Sequence, residues 1–209
     1  MKITYVYDAL CGWCYGFSPI MAQLYKKYKD SIIFDVVSGG MITGGRIGPI
    51  GEVAPYISWA YKDVEKACHV TFGEVFLNQT LKTGTAIFTS IPPAVALSIF
   101  KIQKPEESIA FAARLQKAIY YEGIEPENLN EYGKLAAEFG LDSVNFTTQM
   151  NNPENVTLAE ADFGFSSAMG VNGFPTVFIE KNNKWYVLAR GYMSFEKIEQ
   201  NLQAVLNDI

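Results

Sequence analysis

The chain has 209 residues, 49% hydrophobic and 14% aromatic, enough to bury one large core or a core domain carrying an insertion, and far from the composition of a disordered chain. A net charge of -5, a single histidine and no basic run longer than Lys26-Lys27 leave no electrostatic footprint for nucleic acid or an anionic membrane surface. The apolar run Ile91 to Phe100 falls well short of the ~20 residues a membrane span needs, so neither nucleic acid nor a membrane is expected as a partner.

Ile3 to Tyr7 is short, β-branched and aromatic, which predicts a buried strand. Asp8 breaks this run, so it does not read as a secretory leader, and with Met1 as the natural start the expected location is cytoplasmic. Cys11-Gly12-Trp13-Cys14 follows, at the mouth of a helix-like run from Phe17 to Tyr28 in which Phe17, Ile20, Met21 and Leu24 repeat at helical spacing and Pro19 falls within the first turns. Two thiols in this position form a redox device. The first sulfur faces unpaired N–H groups and the positive end of the helix dipole, which favours its thiolate; the second is near enough to attack a mixed disulfide and release it. A purely structural disulfide is disfavoured, because a two-residue loop removes little chain entropy. A zinc site drawing on Cys68-His69 is also disfavoured, because zinc pairs sit on short knuckles and not between a strand and a helix.

Ser31 to Ser38 predicts a second buried strand, completing a βαβ unit that puts the cysteines at the carboxyl end of a central strand. The glycine-rich stretch from Gly39 to Pro55 matches no phosphate-binding pattern and reads as a loop at the rim of a cleft, with a domain boundary inside it. From Pro55 to Gly170 the pattern is helical, with starts expected near Pro55, Pro92-Pro93, Pro105, Pro126 and Pro153. Stripes such as Phe111, Leu115 and Ile119 imply that this block builds a small core of its own and frames the substrate groove. Cys68 within it reads as a small hydrophobe ahead of a third redox thiol. Strand chemistry returns at Thr176 to Glu180 and Lys184 to Ala189 around the turn Lys181-Asn182-Asn183, and a last helix begins after Ser194.

A C-x-x-C after the first strand, a helical insertion and Gly173-Phe174-Pro175-Thr176 before a hairpin resemble the DsbA-like branch of the thioredoxin superfamily. Asp8-x-x-Cys11-x-Trp13-Cys14-Tyr15-x-Phe17 is similar to the start of its FrnE-like subgroup, with Gly12 in place of that subgroup's proline. The resemblance implies an α/β thioredoxin fold interrupted by a large all-helical insertion. Residues 1–50 plus 170–209 would form the thioredoxin-like domain and residues 51–169 the insertion. It further implies Cys11 as attacking thiol, Cys14 as resolving thiol, Pro175 as a cis-proline and Phe174 as the residue that offers its backbone to a substrate. Without a histidine between the cysteines, the Cys11 thiolate must rely on the helix N-terminus, which predicts a weaker oxidant than DsbA. Trp13 and Phe17 are expected to give an apolar rim, Trp13 exposed and Phe17 in the core. Asp8 is either a proton relay for Cys14 or a residue that caps the helix or faces water.

The resulting expectation is a thiol-disulfide oxidoreductase or isomerase acting on protein or peptide thiols and disulfides, with glutathione as a further thiol partner and no cofactor or metal. The rival readings are a glutathione-dependent transferase or isomerase of the kappa-class or hydroxychromene carboxylate isomerase type, against which Cys14 argues, and a non-catalytic thiol- or zinc-binding protein.

Overall fold

The first strand, β1 (Lys2–Tyr7), is buried along all but its first residue, and the rest of the sheet is laid around it. The computed structural model describes residues 1–207. After α1 (Gly12–Tyr28) comes β2 (Ile33–Ser38), which pairs in parallel with β1 from Lys2 opposite Ile33 to Tyr7 opposite Ser38. On the other side of β1 lies β5 (Thr176–Lys181), antiparallel, and β6 (Lys184–Arg190) completes the order β2-β1-β5-β6. Asn182 and Asn183 both adopt positive φ in the tight turn between β5 and β6, the twist that two-residue hairpins require. The last helix, α9 (Phe195–Asn207), starts after Ser194, whose Oγ accepts the Lys197 N–H at 3.4 Å.

The segment between β2 and β5 contains α2 (Ala54–Cys68), a π-helical turn Phe76–Thr80 running into α3 (Leu81–Thr83), α4 (Ile91–Gln103), α5 (Ser108–Tyr120), α6 (Leu129–Ala137), α7 (Ser143–Met150) and α8 (Pro153–Ala168). Its regular structure is helical apart from two two-residue strands, β3 (Gly48–Pro49) in the glycine-rich loop and β4 (Ile87–Phe88), which pair with each other. Most proline starts fall where expected, since a missing N–H costs nothing in a first turn; α6 begins three residues after Pro126. The α7 helix has no proline and is announced instead by Asp142, whose Oδ1 accepts the Asn145 N–H at 2.7 Å. Among the described residues no helix is long and apolar enough to cross a membrane.

Both faces of the sheet are covered. On one, Tyr5, Val36, Val177 and Ile179 meet Phe17, Met21 and Leu24 of α1 and Ile198 and Leu202 of α9; on the other, Val6, Val37 and Phe178 meet Phe165 and Met169. Phe100 and Phe111, stacked at 3.9 Å between α4 and α5, belong to the same apolar cluster as the first of these faces. The insertion's stripes therefore join the core of the sheet and do not close on themselves. Pro19 lies inside α1 and leaves the Tyr15 carbonyl without its helical donor; the Ser18 hydroxyl donates to that oxygen at 2.8 Å.

The contact between α1 and α2 has no slack. A Cβ on Gly16 would lie 2.5 Å from the Cys68 sulfur and 2.8 Å from Val64 Cγ1. Gly16→Ala is expected to destabilise the protein by about 1–3 kcal/mol through overpacking. Adding Cys68→Ala should recover part of that loss, as read from a double-mutant cycle in urea unfolding.

Candidate active site

The turn from β1 into α1 sets the chemistry. Cys11 is the N-cap of α1, with extended backbone at φ -93° and ψ 111°, so its side chain projects over the first turn. The Cys14 N–H donates to Cys11 Sγ at 3.3 Å, placing one of the helix's unpaired donors on the sulfur. Across from it, the Cys11 thiol donates to the Phe174 carbonyl oxygen at 3.6 Å. The Phe174-Pro175 peptide is cis, and its loop is closed by Thr176 Oγ1 donating to the Gly173 carbonyl at 2.8 Å and the Gly191 N–H donating to the Pro175 carbonyl at 2.7 Å. Residues 163 positions apart are thus within hydrogen-bond reach.

The two thiols differ in environment. Both are free; Cys11 retains slight exposure, 6%, and Cys14 retains none. Burial pushes the Cys14 thiol well above its ordinary range, and the hydrogen bond with Cys11 and the charge of Cys11 push it further. Cys68 is half-buried against Gly16, and burial raises its thiol to about 11. His69 is exposed, in a left-handed conformation at the end of α2. Among the described residues no three His, Cys, Asp or Glu side chains gather to hold a metal ion.

Asp8 neither caps α1 nor faces water. It is 1% exposed, and its carboxylate is surrounded by donors: Leu10 N–H at 2.9 Å and Ser90 Oγ at 2.9 Å on Oδ1, and Met41 N–H at 2.8 Å on Oδ2. Burial raises its pKa and these hydrogen bonds oppose the rise. Trp13 is half-buried and not exposed, because its ring tilts against Tyr192 at 6.1 Å; Tyr192 also meets the fully buried Phe17 edge-on at 6.4 Å and donates to the Ala67 carbonyl at 2.8 Å. Phe174 rests on the bare backbone of Gly39, where a Cβ would come within 2.0 Å of its ring. Met41, Ser90, Gln116, Tyr120 and Tyr192 all touch this site or its turn, and nothing in the sequence marked them. Their neighbours lie tens of positions away, and each is an ordinary member of its own helix or loop.

The site thus combines a sulfur at a helix N-terminus, a buried second thiol one turn on and an acceptor carbonyl beside a cis-proline. Compared with curated protein sequences, the chain has no match. Among solved structures it is similar to a protein from Nitrosomonas europaea described as a candidate protein disulfide isomerase, with TM-score 0.85, 24% identity, and 98% of this chain and 97% of that one covered. It is similar to the cytosolic disulfide reductase DsbM from Pseudomonas aeruginosa, with TM-score 0.81, 24% identity, and 99% and 98% covered. A 2-hydroxychromene-2-carboxylate isomerase shares the fold with TM-score 0.66 and 13% identity, covering 98% of this chain and 94% of that one. At these identities the likeness is one of fold, a thioredoxin-like sheet with a helical insertion. The sequence profile described as thioredoxin matches residues 5–200, nearly the whole chain, and the protein accordingly belongs to the thioredoxin family.

Proposed function

We propose that the protein is a thiol-disulfide oxidoreductase acting on protein or peptide thiols, with Cys11 attacking and Cys14 resolving. The observation that carries this reading is the pair of contacts at Cys11 Sγ: a backbone N–H at 3.3 Å on one side and the Phe174 carbonyl at 3.6 Å on the other. In the reducing direction the Cys11 thiolate attacks one sulfur of a substrate disulfide. A bond forms from Cys11 to that sulfur, and the other sulfur leaves as a thiolate and takes a proton. Cys14 then loses its proton and attacks Cys11 Sγ; the Cys11–Cys14 disulfide forms and the second substrate thiolate departs. The substrate gains two electrons and the protein dithiol loses two, and the reverse sequence oxidises a substrate dithiol.

The raised proton affinity of buried Cys14 keeps it a thiol until the mixed disulfide exists, and its own attack then needs a proton acceptor nearby. We assign that acceptor to Asp8, buried near enough for its charge to act on Cys14. Trp13 and Phe174 supply the apolar rim for an extended substrate segment, and Pro175 shapes the loop that presents the Phe174 carbonyl. The DsbM fold has also been solved with glutathione, which makes glutathione the first small thiol to test here, and DsbM's description as cytosolic agrees with a cytoplasmic setting. The glutathione-dependent isomerase reading draws on the shared fold of the hydroxychromene carboxylate isomerase, but leaves the buried Cys14 without a task.

At pH 7 to 8 iodoacetamide is expected to modify Cys11 and to spare Cys14 and Cys68, whose thiols are held protonated and covered; peptide mass spectrometry after short exposure reads the pattern. Equilibration with glutathione buffers should reveal one two-electron couple in the wild type and none in Cys11→Ser. Cys14→Ser should accumulate a mixed disulfide with a protein substrate. Turnover that survives in Cys14→Ser with glutathione as the thiol would overturn the oxidoreductase reading in favour of the isomerase. In Asp8→Asn the mixed disulfide is expected to persist longer while first attack by Cys11 is unchanged; equal slowing of both steps would remove the proton-acceptor role.

A further inference from the structure

The peptide group that leads into Cys11 is tied at both ends. Its N–H, that of Cys11, donates to the Asp8 carbonyl at 3.1 Å, and its carbonyl, that of Leu10, accepts from the Tyr120 hydroxyl. The Asp8 carbonyl accepts a second hydrogen bond, from Gln116 Nε2 at 3.3 Å. Gln116 and Tyr120 lie four residues apart on α5, hence on one face of that helix, and both are buried, at 0% and 4% exposure. Their partners are 108 and 110 positions away in sequence, in the turn between β1 and α1 that precedes the helical insertion.

The two side chains are held stiffly and at a cost. The Tyr120 ring meets Phe72 at 5.2 Å, Phe76 at 5.1 Å and Tyr15 at 5.5 Å, so its hydroxyl has little freedom to leave Leu10. Among the described residues, buried Gln116 Oε1 has no hydrogen-bond partner, a group that an apolar residue of similar size would not carry into the core. A core packed for stability alone would have no need of this amide. Its nitrogen reaches the one carbonyl that also accepts from the N–H of Cys11. Rotation of the Leu10–Cys11 peptide would swing the Cys11 side chain off the Cys14 N–H and the Phe174 carbonyl, and these two hydrogen bonds oppose that rotation.

We propose that Gln116 and Tyr120 are positioning residues for the Cys11 sulfur, a role that rests on the oxidoreductase reading and gives the insertion a part in the exchange step itself. Their hydrogen bonds go to backbone carbonyls and not to either sulfur. They act by fixing the peptide plane from which Cys11 projects, so that thiolate formed at Cys11 meets a donor already in place.

The test is Tyr120→Phe, which removes one hydroxyl and keeps the ring, set beside Tyr132→Phe. Tyr132 is an equally buried tyrosine on α6 whose hydroxyl donates to the Pro126 carbonyl at 2.7 Å, away from the cysteines. The readouts are the rate of Cys11 alkylation by iodoacetamide at neutral pH and the reduction potential of the Cys11–Cys14 pair. Tyr120→Phe is expected to slow alkylation about fivefold, the worth of one net hydrogen bond, and to shift the potential in the reducing direction, while Tyr132→Phe leaves both at wild-type values. Gln116→Met, close in volume, should act in the same sense and stands in if Tyr120→Phe does not fold. Wild-type alkylation rate and potential in both Tyr120→Phe and Gln116→Met would overturn the proposal and leave the two residues a packing role. If the wild type exchanges no disulfide, the oxidoreductase reading fails by itself, and the difference in alkylation between the two tyrosine variants still decides whether α5 positions Cys11.

Discussion

The hydrogen bond from the Cys14 N–H to the Cys11 sulfur is the interaction on which the rest of the structure depends. A helix N-terminus carries unpaired donors, but they reach a capping side chain only if the preceding residue leaves the helix with the right backbone geometry. Here that residue is the cysteine itself, so the sulfur does the work usually given to a serine or aspartate oxygen at an N-cap. Burial of β1 then ensures that the turn carrying the sulfur has nowhere to relax to. The polar groups of residues 8–10 are buried and must be met by the protein.

That requirement accounts for Asp8. Its carboxylate collects the Leu10 and Met41 N–H groups and the Ser90 hydroxyl, and so joins the cysteine turn, the end of the β2 segment and the start of α4 at one point. A buried carboxylate is costly, and three donors offset much of that cost while the remainder raises its affinity for a proton. One group thereby has a structural reason to be where it is, and its raised proton affinity is the property on which the proposed acceptor role draws. The salt-linked region behind β2 follows the same logic: Lys101 reaches the Val36 carbonyl and Asp35, and Asp162 accepts the Ser38 N–H at 3.1 Å, just before the glycine on which Phe174 rests.

The apolar layers explain why a cysteine pair with no histidine between its members can still present a defined surface. Trp13 rests on Tyr192, Tyr192 on Phe17, and Phe17 on the sheet, so the residue between the cysteines is stiffened from below. On the other side of the Cys11 sulfur, Phe174 is shared between the clusters on the two faces of the sheet. The insertion is continuous with this packing through Phe72, Phe76 and Tyr120, which is why it cannot be regarded as a cover added to a finished sheet.

By itself the sequence determined the local elements: a buried strand from its β-branched run, a helix from its apolar spacing with the cysteines at its mouth, proline-started helices, the asparagine turn of the hairpin, and the proline before β5. These signals are legible because they act between residues within a turn or two of one another. The α7 start at Asp142 carried such a signal too, in a capping aspartate without a proline to draw attention to it. Tertiary structure alone decided that Asp8 would be buried among donors instead of capping or facing water, that Trp13 would lean on Tyr192 instead of standing free, that the insertion would share the sheet's core, and that Gln116 and Tyr120 would hold the carbonyls of Asp8 and Leu10. Hydrogen bonds to backbone carbonyls carry no residue-type signature on the accepting side, and a buried polar residue on a helix looks the same in sequence whichever distant oxygen it meets. The choice among those oxygens is made only when the chain has closed.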